Sequence, residues 1–309
     1  MRTNWLKFLV KRLVQGAAAL FVVATLTFIA MKAVPGGPFD RDKDIPEAIR
    51  RNIEAKYGLD LPWHRQYARY MAGIVKLDLG PSYKYRARRV NDILKDTFPM
   101  SMALGALAFC FSVLLGVSAG TWAGLRPGKF ADKGGMLAAT VGISAPNFVI
   151  GAVLVLLFAL KWNLLPPAMW EGFSSMILPA VTLGIGPAAY IARLTRSSVM
   201  DVAGLPHVMA AKARGAPPSM IVVKHVLRSA IVPVVTILGP LLAALVTGSF
   251  IVEYMFAIPG MGKYFITAVT DRDYPLIMGV TLTYSALIVL ANIAVDAIYG
   301  VLDPRVSVE

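Results

Sequence analysis

The chain has 309 residues, of which 57% are hydrophobic, with a formal net charge of +13 and a single cysteine. A mean hydropathy of +0.63 exceeds what a soluble domain sustains, so the composition points to an integral membrane protein. In that setting a basic excess reflects loop topology and anionic headgroups, which sets nucleic acid aside. The lone Cys110 excludes an internal disulfide and a cysteine-rich metal site.

In chain order, Arg2, Lys7, Lys11 and Arg12 make residues 1–12 a basic tail. The apolar run Leu13–Met31 is longer than a signal-peptide core and reads as an uncleaved first span. Residues 32–99 are polar and basic, with the cluster Lys84, Arg86, Arg88 and Arg89 near their end. Within them Pro46–Pro62 (PEAIRRNIEAKYGLDLP) shows a proline start, a helical middle and a Gly58 stop. Trp63, Tyr67, Tyr70 and Met71 continue an apolar-aromatic stripe at helical spacing. The segment therefore reads as ordered, with short helices. Its stripe packs on the protein's own outer face or at the membrane interface, or, on a sharper reading, docks an external partner.

Five further stretches approach the ~20 residues that a bilayer core requires. They are Met100–Leu125, Met136–Leu160, Met176–Ile191, Ile231–Ile251 and Pro275–Tyr299, and with the first they make six spans, residues 100–299 forming the core. The fourth is the weakest, being short and interrupted by Pro179, Gly184, Gly186 and Pro187. Gly116, Gly120 and Gly124 form overlapping GxxxG patterns on one face of the second span, better suited to packing within this subunit than against a partner. Pro146, Pro233 and Pro240 remove backbone donors and are expected to bend the third and fifth spans.

Lys and Arg set the orientation. The N-terminal tail, the loop 126–133 (Arg126, Lys129, Lys133 against Asp132) and the loop 193–228 (Arg193, Arg196, Lys212, Arg214, Lys224, Arg228 against Asp201) fall on one side if there are six spans. That side is the cytoplasm, which also takes the C-terminal tail 300–309. Residues 32–99 then lie outside despite their charge, because loops longer than about 60 residues are translocated regardless of it.

Chemical motifs are few. No GxxxxGK[S/T] phosphate loop occurs, so ATP is not bound in that way by this chain. No HExxH occurs, His64, His207 and His225 are scattered among loops, and Ser144 has no spaced base partner. Ionisable groups within the spans are almost absent. Asp296, one turn after Asn292, lies near the end of the sixth span and reads as a structural hydrogen-bonding residue. In AIPGMGKYF, Gly260 and Gly262 permit tight turns, and Arg272, Asp273 and Tyr274 read as the turn that starts the last span.

The most distinctive stretch is the polar island His207–Ser219 (HVMAAKARGAPPS). Pro206 suits a first helical turn, Gly215 suits the left-handed position just past a helix end, and Pro217 and Pro218 prevent continuation. Ala210, Ala211 and Ala213 form a flank of little bulk beside Lys212 and Arg214. Taken alone, the stretch fits a helix seated in another protein's groove and equally an amphipathic connector on the bilayer surface.

AAKARG followed by KHVLRSAIVPV, PGGPF after the first span, RDYP before the sixth and VDAIYGVLDPR at the end together resemble the membrane subunits of ATP-binding-cassette peptide importers. NIEAKYGL, LGPSYKY and RVNDIL resemble the B-subunit branch of oligopeptide permeases. The resemblance implies an all-α integral membrane protein of six transmembrane helices in the type I importer permease architecture, with the ordered outer segment between the first two. It implies a second homologous permease, two cytoplasmic ATPases that bind ATP and Mg, an extracytoplasmic peptide-binding protein, a peptide cargo and surrounding lipid. Met209, Ala210, Ala211, Lys212, Ala213, Arg214 and Gly215 then form the ATPase-docking helix, Met209 standing where the general motif has glutamate. His225 and Arg228 replace its isoleucine and proline. Peptide-contacting residues are not identifiable. Competing functions are a permease for dipeptides, a nickel chelate or another small solute, and, from another class, an ion-coupled secondary carrier.

Overall fold

The computed structural model describes residues 2–39, 46–85 and 87–302. Among them no strand forms; Pro81 and Arg89 make one isolated bridge. The chain divides into two compact units, one built from the residues up to Met100 and those from Gly260 onward, the other from Ser101–Pro259.

In the first unit the long helices α1 (Arg2–Ala33) and α13 (Tyr274–Leu302) contain the predicted first and sixth spans and pack together. Gly16 permits their approach, since a Cβ there would lie 2.4 Å from Val289 Cγ1. The predicted outer helix is α2 (Glu47–Tyr57), which starts after Pro46 and stops at Gly58 with φ +69°. α3 (Trp63–Val75) lays Tyr67 and Tyr70 against Phe28 of α1, with ring centroids 5.3 and 6.2 Å apart. The Tyr67 and Thr25 hydroxyls share a 2.7 Å hydrogen bond. Tyr67 and Tyr70 of the stripe thus pack on the protein's own first span, whereas Trp63 is 68% exposed. In the basic cluster, Arg88 pairs with Asp96 and Arg89 with Asp78, while Arg86 lies outside the described residues. α12 (Met261–Asp271) packs on α13.

The second unit is built around α7 (Phe173–Ala203). The weakest predicted span is a continuous helix of 31 residues that passes through Pro179 and Pro187 and ends twelve residues beyond the expected Ile191. It is buried over 61% of its most apolar stretch, against 17% for α1. Its low sequence hydropathy has this cause: α7 is surrounded by protein, so small residues that admit neighbours replace large lipid-facing ones.

α4 (Val90–Gly124) packs on α7 through the predicted glycine face. A Cβ at Gly116, Gly120 or Gly124 would stand 2.7, 2.5 and 2.8 Å from the carbonyl oxygens of Ala188, Ala192 and Arg196. One turn earlier, Ser112 Oγ donates to the Gly184 carbonyl at 2.9 Å. Every pair is offset by the same 72 residues as Ser112 and Gly184, so the two helices run parallel. The intervening chain must therefore return across the membrane once.

That return, expected over Met136–Leu160, is bent at Pro146 as the sequence implied. α5 (Phe130–Ser144) and α6 (Asn147–Lys161, π-helical from Val155) meet at 114° around Ala145 and Pro146. The expected fifth span, Ile231–Ile251, corresponds mainly to α10 (Val232–Val246), which is joined at 59° to a helix before it, α9 (Pro218–Ala230, π-helical over Ile221–Leu227). Pro233, in the first turn of α10, accompanies that break, whereas Pro240 lies within α10 without interrupting it. α10 ends five residues early because Gly248 turns left-handed at φ +78° and Ser249 caps a new helix, α11 (Phe250–Met255). Leu245 of α10 lies against Gly105, in the N-terminal half of α4, so α9 and α10 also make one net crossing. Among the described residues four helices are long and apolar enough to span a bilayer alone, and counting each of the two bent pairs as one span brings the number to six.

The glycine contact generates a testable contrast. Gly120→Ala places a methyl against backbone and should lower stability by about 1–3 kcal/mol, the usual cost of overpacking. At Gly134 a Cβ meets nothing within 4 Å, so Gly134→Ala should be neutral or stabilising by up to about 1 kcal/mol. Thermal unfolding of the detergent-purified protein checks this, and equal midpoints for the two variants would refute the packing argument.

Candidate functional site

The polar island forms α8 (Pro206–Ala213), with Pro206 in its first turn as expected. Arg214 is the C-cap and Gly215 follows with φ +77°. The Gly215 N–H donates to the Lys212 carbonyl at 3.0 Å and the Ala216 N–H to the Ala211 carbonyl at 3.2 Å, the bond pair of a Schellman stop. A Cβ at Gly215 would meet nothing within 4 Å, so glycine is needed there for its dihedral and not for space.

α8 has two faces. Val208 and Ala211 are 0% and 1% exposed, packed with Val199 of α7 and Ile221, Val226 and Ala230 of α9. Met209, Ala210, Lys212, Ala213, Arg214 and Gly215 are exposed. This corrects the sequence grouping of Ala210, Ala211 and Ala213 on one flank. The helical period separates them, and Ala211 anchors α8 to its own chain beside Val208, which the sequence reading did not single out. The expected loop 193–228 is itself largely helical, comprising the end of α7, α8 and most of α9. His207 Nε2 lies 3.4 Å from the His225 carbonyl, a further link from α8 to α9.

Beside this platform, Asp132 in the first turn of α5 takes a bidentate contact from Arg196 of α7, the Nη2 bond being 2.8 Å, and accepts the Gly128 N–H at 2.8 Å. The pair joins the segments 126–133 and 193–228, which therefore stand at the same end of the helices.

In the first unit, three of the sequence strings converge. Asp273 of RDYP, 1% exposed, caps α13 by accepting the Leu276 N–H at 3.3 Å. It also accepts Ser82 Oγ and, at 3.2 Å, the Lys84 N–H, both from LGPSYKY. Arg272 Nη1 and the Tyr274 hydroxyl donate to the Gly37 and Gly36 carbonyls of PGGPF at 3.4 and 3.3 Å. Phe39, Tyr57, Tyr83 and Tyr274 form a ring cluster around this junction. Burial, and then the Asp273 charge, pushes the Tyr83 hydroxyl well above the ordinary phenol range. Asp273 is thus a helix start, as the sequence implied. The tight turn expected at Gly260 and Gly262 is made instead by Ala257, at φ 52°, and Gly262 is buried within α12.

Two buried carboxylates escaped the sequence reading. Asp132 is one. The other is Glu253, 0% exposed, which accepts Ser101 Oγ at 3.1 Å just past the end set for the fifth span. Their partners are 64 and 152 residues away, so no local pattern could reveal them. Asp296 lies on α13 with its side chain outside the described residues. Among the described residues no group of three His, Cys, Asp or Glu is placed to hold a metal. VDAIYGVLDPR extends past the described residues at its end.

Comparison with known proteins agrees with this architecture across the chain. Residues 112–308 match the model for the binding-protein-dependent transport system inner membrane component, and residues 5–105 match that of its N-terminal region. The chain is 44% identical over 301 residues to the dipeptide transport system permease protein DppB of Bacillus subtilis (strain 168), covering 97% of this chain and 98% of that protein. It is 41% identical over 303 residues to the oligopeptide transport system permease protein OppB of Haemophilus influenzae, and 38% identical over 303 to that of Escherichia coli (strain K12), each covering 97% of this chain and 99% of the relative. Two matched regions, near-complete coverage and a multi-pass helical fold agree: the chain belongs to the family of inner-membrane components of binding-protein-dependent transport systems.

Proposed function

We propose that this chain is the permease subunit of an ATP-driven importer of oligopeptides, paired with a second permease, and that α8 is the helix its cytoplasmic ATPase holds. The observation that carries the docking role is the division of α8 into an anchored and an open face. Val208 and Ala211 fasten it to α7 and α9, while Met209, Ala210 and Ala213 remain exposed with little bulk around them. Met209 is 59% exposed and offers a thioether where a carboxylate would make an ion pair, so the contact is apolar at that point, flanked by Lys212 and Arg214. A peptide cargo is supported by the names of the dipeptide and oligopeptide permease relatives, and the two oligopeptide ones favour the longer cargo over a nickel chelate.

The mechanism is mechanical. ATP and Mg belong to the partner ATPases, whose closure moves α8, and an extracytoplasmic binding protein delivers the peptide. Because α8 is packed into the ends of α7 and α9, its movement tilts both. Internal hydrogen bonds keep α7 stiff along its 31 residues, so tilt at one end becomes a change of access at the other, while α9 passes its movement to α10 across their 59° bend. In this orientation the segment 126–133, α8 and both chain termini face the cytoplasm, and residues 32–99 face outward. The chain itself breaks no bond.

Three experiments test this. The purified chain alone should hydrolyse no ATP, while the complex with its ATPases should; hydrolysis by the ATPase-free chain would overturn the assignment. Ala213→Trp loads the open face and leaves the anchored one intact. It should insert normally yet abolish co-purification of the ATPases and peptide uptake. Gly215→Val, at a cost of about 1–3 kcal/mol if φ stays positive, should uncouple uptake in the same way by redirecting the helix exit. Normal uptake by an assembled complex carrying either substitution would remove the docking role from α8.

A further inference from the structure

A cavity of about 470 Å³ opens in the first unit among α1, α2, α3 and the start of α13, and it takes no part in the docking role proposed for α8. Its floor is apolar, formed by Phe28 and Met31 of α1 and Met278 of α13. Its rim carries Lys32, Arg69 and Lys76. The one acid in the lining, Asp78, is occupied: the Gly80 N–H and Arg89 both bind its carboxylate and hold its pKa below the usual range. Among the described residues no salt bridge engages Lys32, Arg69 or Lys76. Lys32 Nζ stands 6.0 and 5.9 Å from the ring centroids of Phe28 and Tyr274, which fixes the ammonium over the apolar floor.

The position of the cavity decides what it suits. The membrane span of α1 covers Leu9–Ala33, so Lys32 lies in its last turn, at the level where hydrocarbon gives way to headgroups. Below it on the same face of α1, Phe21 is 59% exposed and offers an apolar surface to an acyl chain. A free inorganic anion would gain nothing from the apolar floor, and a zwitterionic lipid would set its own cation against the rim. We propose that this cavity is a binding site for an anionic phospholipid, its phosphodiester held by Lys32, Arg69 and Lys76 and its glycerol and first methylenes on Phe28, Met31 and Met278. The proposal needs only the membrane reading of the chain and is independent of its cargo and of which side the cavity faces.

The test uses the full-length chain in detergent, titrated with phosphatidylglycerol or phosphatidylcholine and read by native mass spectrometry. Arg69→Gln and Lys76→Gln remove exposed rim charges. Each should weaken phosphatidylglycerol binding about fivefold, and together about 25-fold, at roughly the strength one basic residue contributes near an anionic membrane. Phosphatidylcholine binding should not change. Lys32→Arg keeps the charge and should retain binding, and Lys32→Gln should lose it while the protein elutes as wild type. Unchanged phosphatidylglycerol binding in the double variant would overturn the site. An equal loss for phosphatidylcholine would do the same, and displacement of the lipid by millimolar inorganic phosphate would reassign the cavity to a free anion.

Discussion

The close approach of α4 to α7 is the constraint on which the Ser101–Pro259 unit is built. Within a bilayer, burying apolar side chains between helices gains little, because lipid tails are as apolar as leucine. What remains is dispersion over closely fitted surfaces and the few hydrogen bonds that cross between helices. Gly116, Gly120 and Gly124 let the α4 backbone lie against the carbonyls of Ala188, Ala192 and Arg196, and Ser112 adds a side-chain bond to Gly184. The same ladder fixes direction. Parallel α4 and α7 require one net crossing between them, which makes the sharply bent α5–α6 pair a single traverse.

From that ladder the chain leads to α8 through the two-residue turn Gly204–Leu205. α7 continues past its apolar stretch to Ala203, and Val199 from its last turns enters the cluster that holds Val208 and Ala211. Asp132 and Arg196 brace the same end from α5. A force on the exposed face of α8 therefore meets packed side chains on α7 and α9 before it meets any loop. The cavity in the first unit, by contrast, belongs to the ends of α1 and α13, where lipid and not an ATPase is the neighbour its chemistry fits.

How much of this was legible depended on whether the controlling signal was local. The helix stop at Gly215, the start at Pro206, the ends of α2 and the glycine face of α4 are set by residues within one or two turns, and the sequence displays them. The extent of α7 is hidden because its last twelve residues carry Arg193, Arg196 and Asp201 and continue the helix past its apolar stretch. Proline gave an incomplete signal. Pro146 coincides with a break, yet Pro179, Pro187 and Pro240 lie within unbroken helices, because surrounding structure can re-satisfy a freed carbonyl and the sequence does not reveal where it does. The inward turn of Ala211 followed from helical period alone and needed only the partners of Val208 to become visible.

The buried acids give the last step. Among the described residues three carboxylates are buried: Asp132, Glu253 and Asp273. Asp132 and Glu253 lie in the first turns of α5 and α11, and Asp273 caps α13. All three therefore occupy helix N-termini, where unpaired N–H groups and the helix dipole favour a negative charge. Each also accepts a hydrogen bond from a side chain far along the chain, namely Arg196, Ser101 and Ser82 respectively. A carboxylate committed in this way orders the start of its helix and pins it to a distant segment. A relay group in an ion-coupled carrier must instead bind and release a cation near the midplane of the bilayer, where a charge is costly and its partners have to change. The three buried acids among the described residues sit where a structure needs fixing, which fits the proposed docking role, in which movement is supplied from outside.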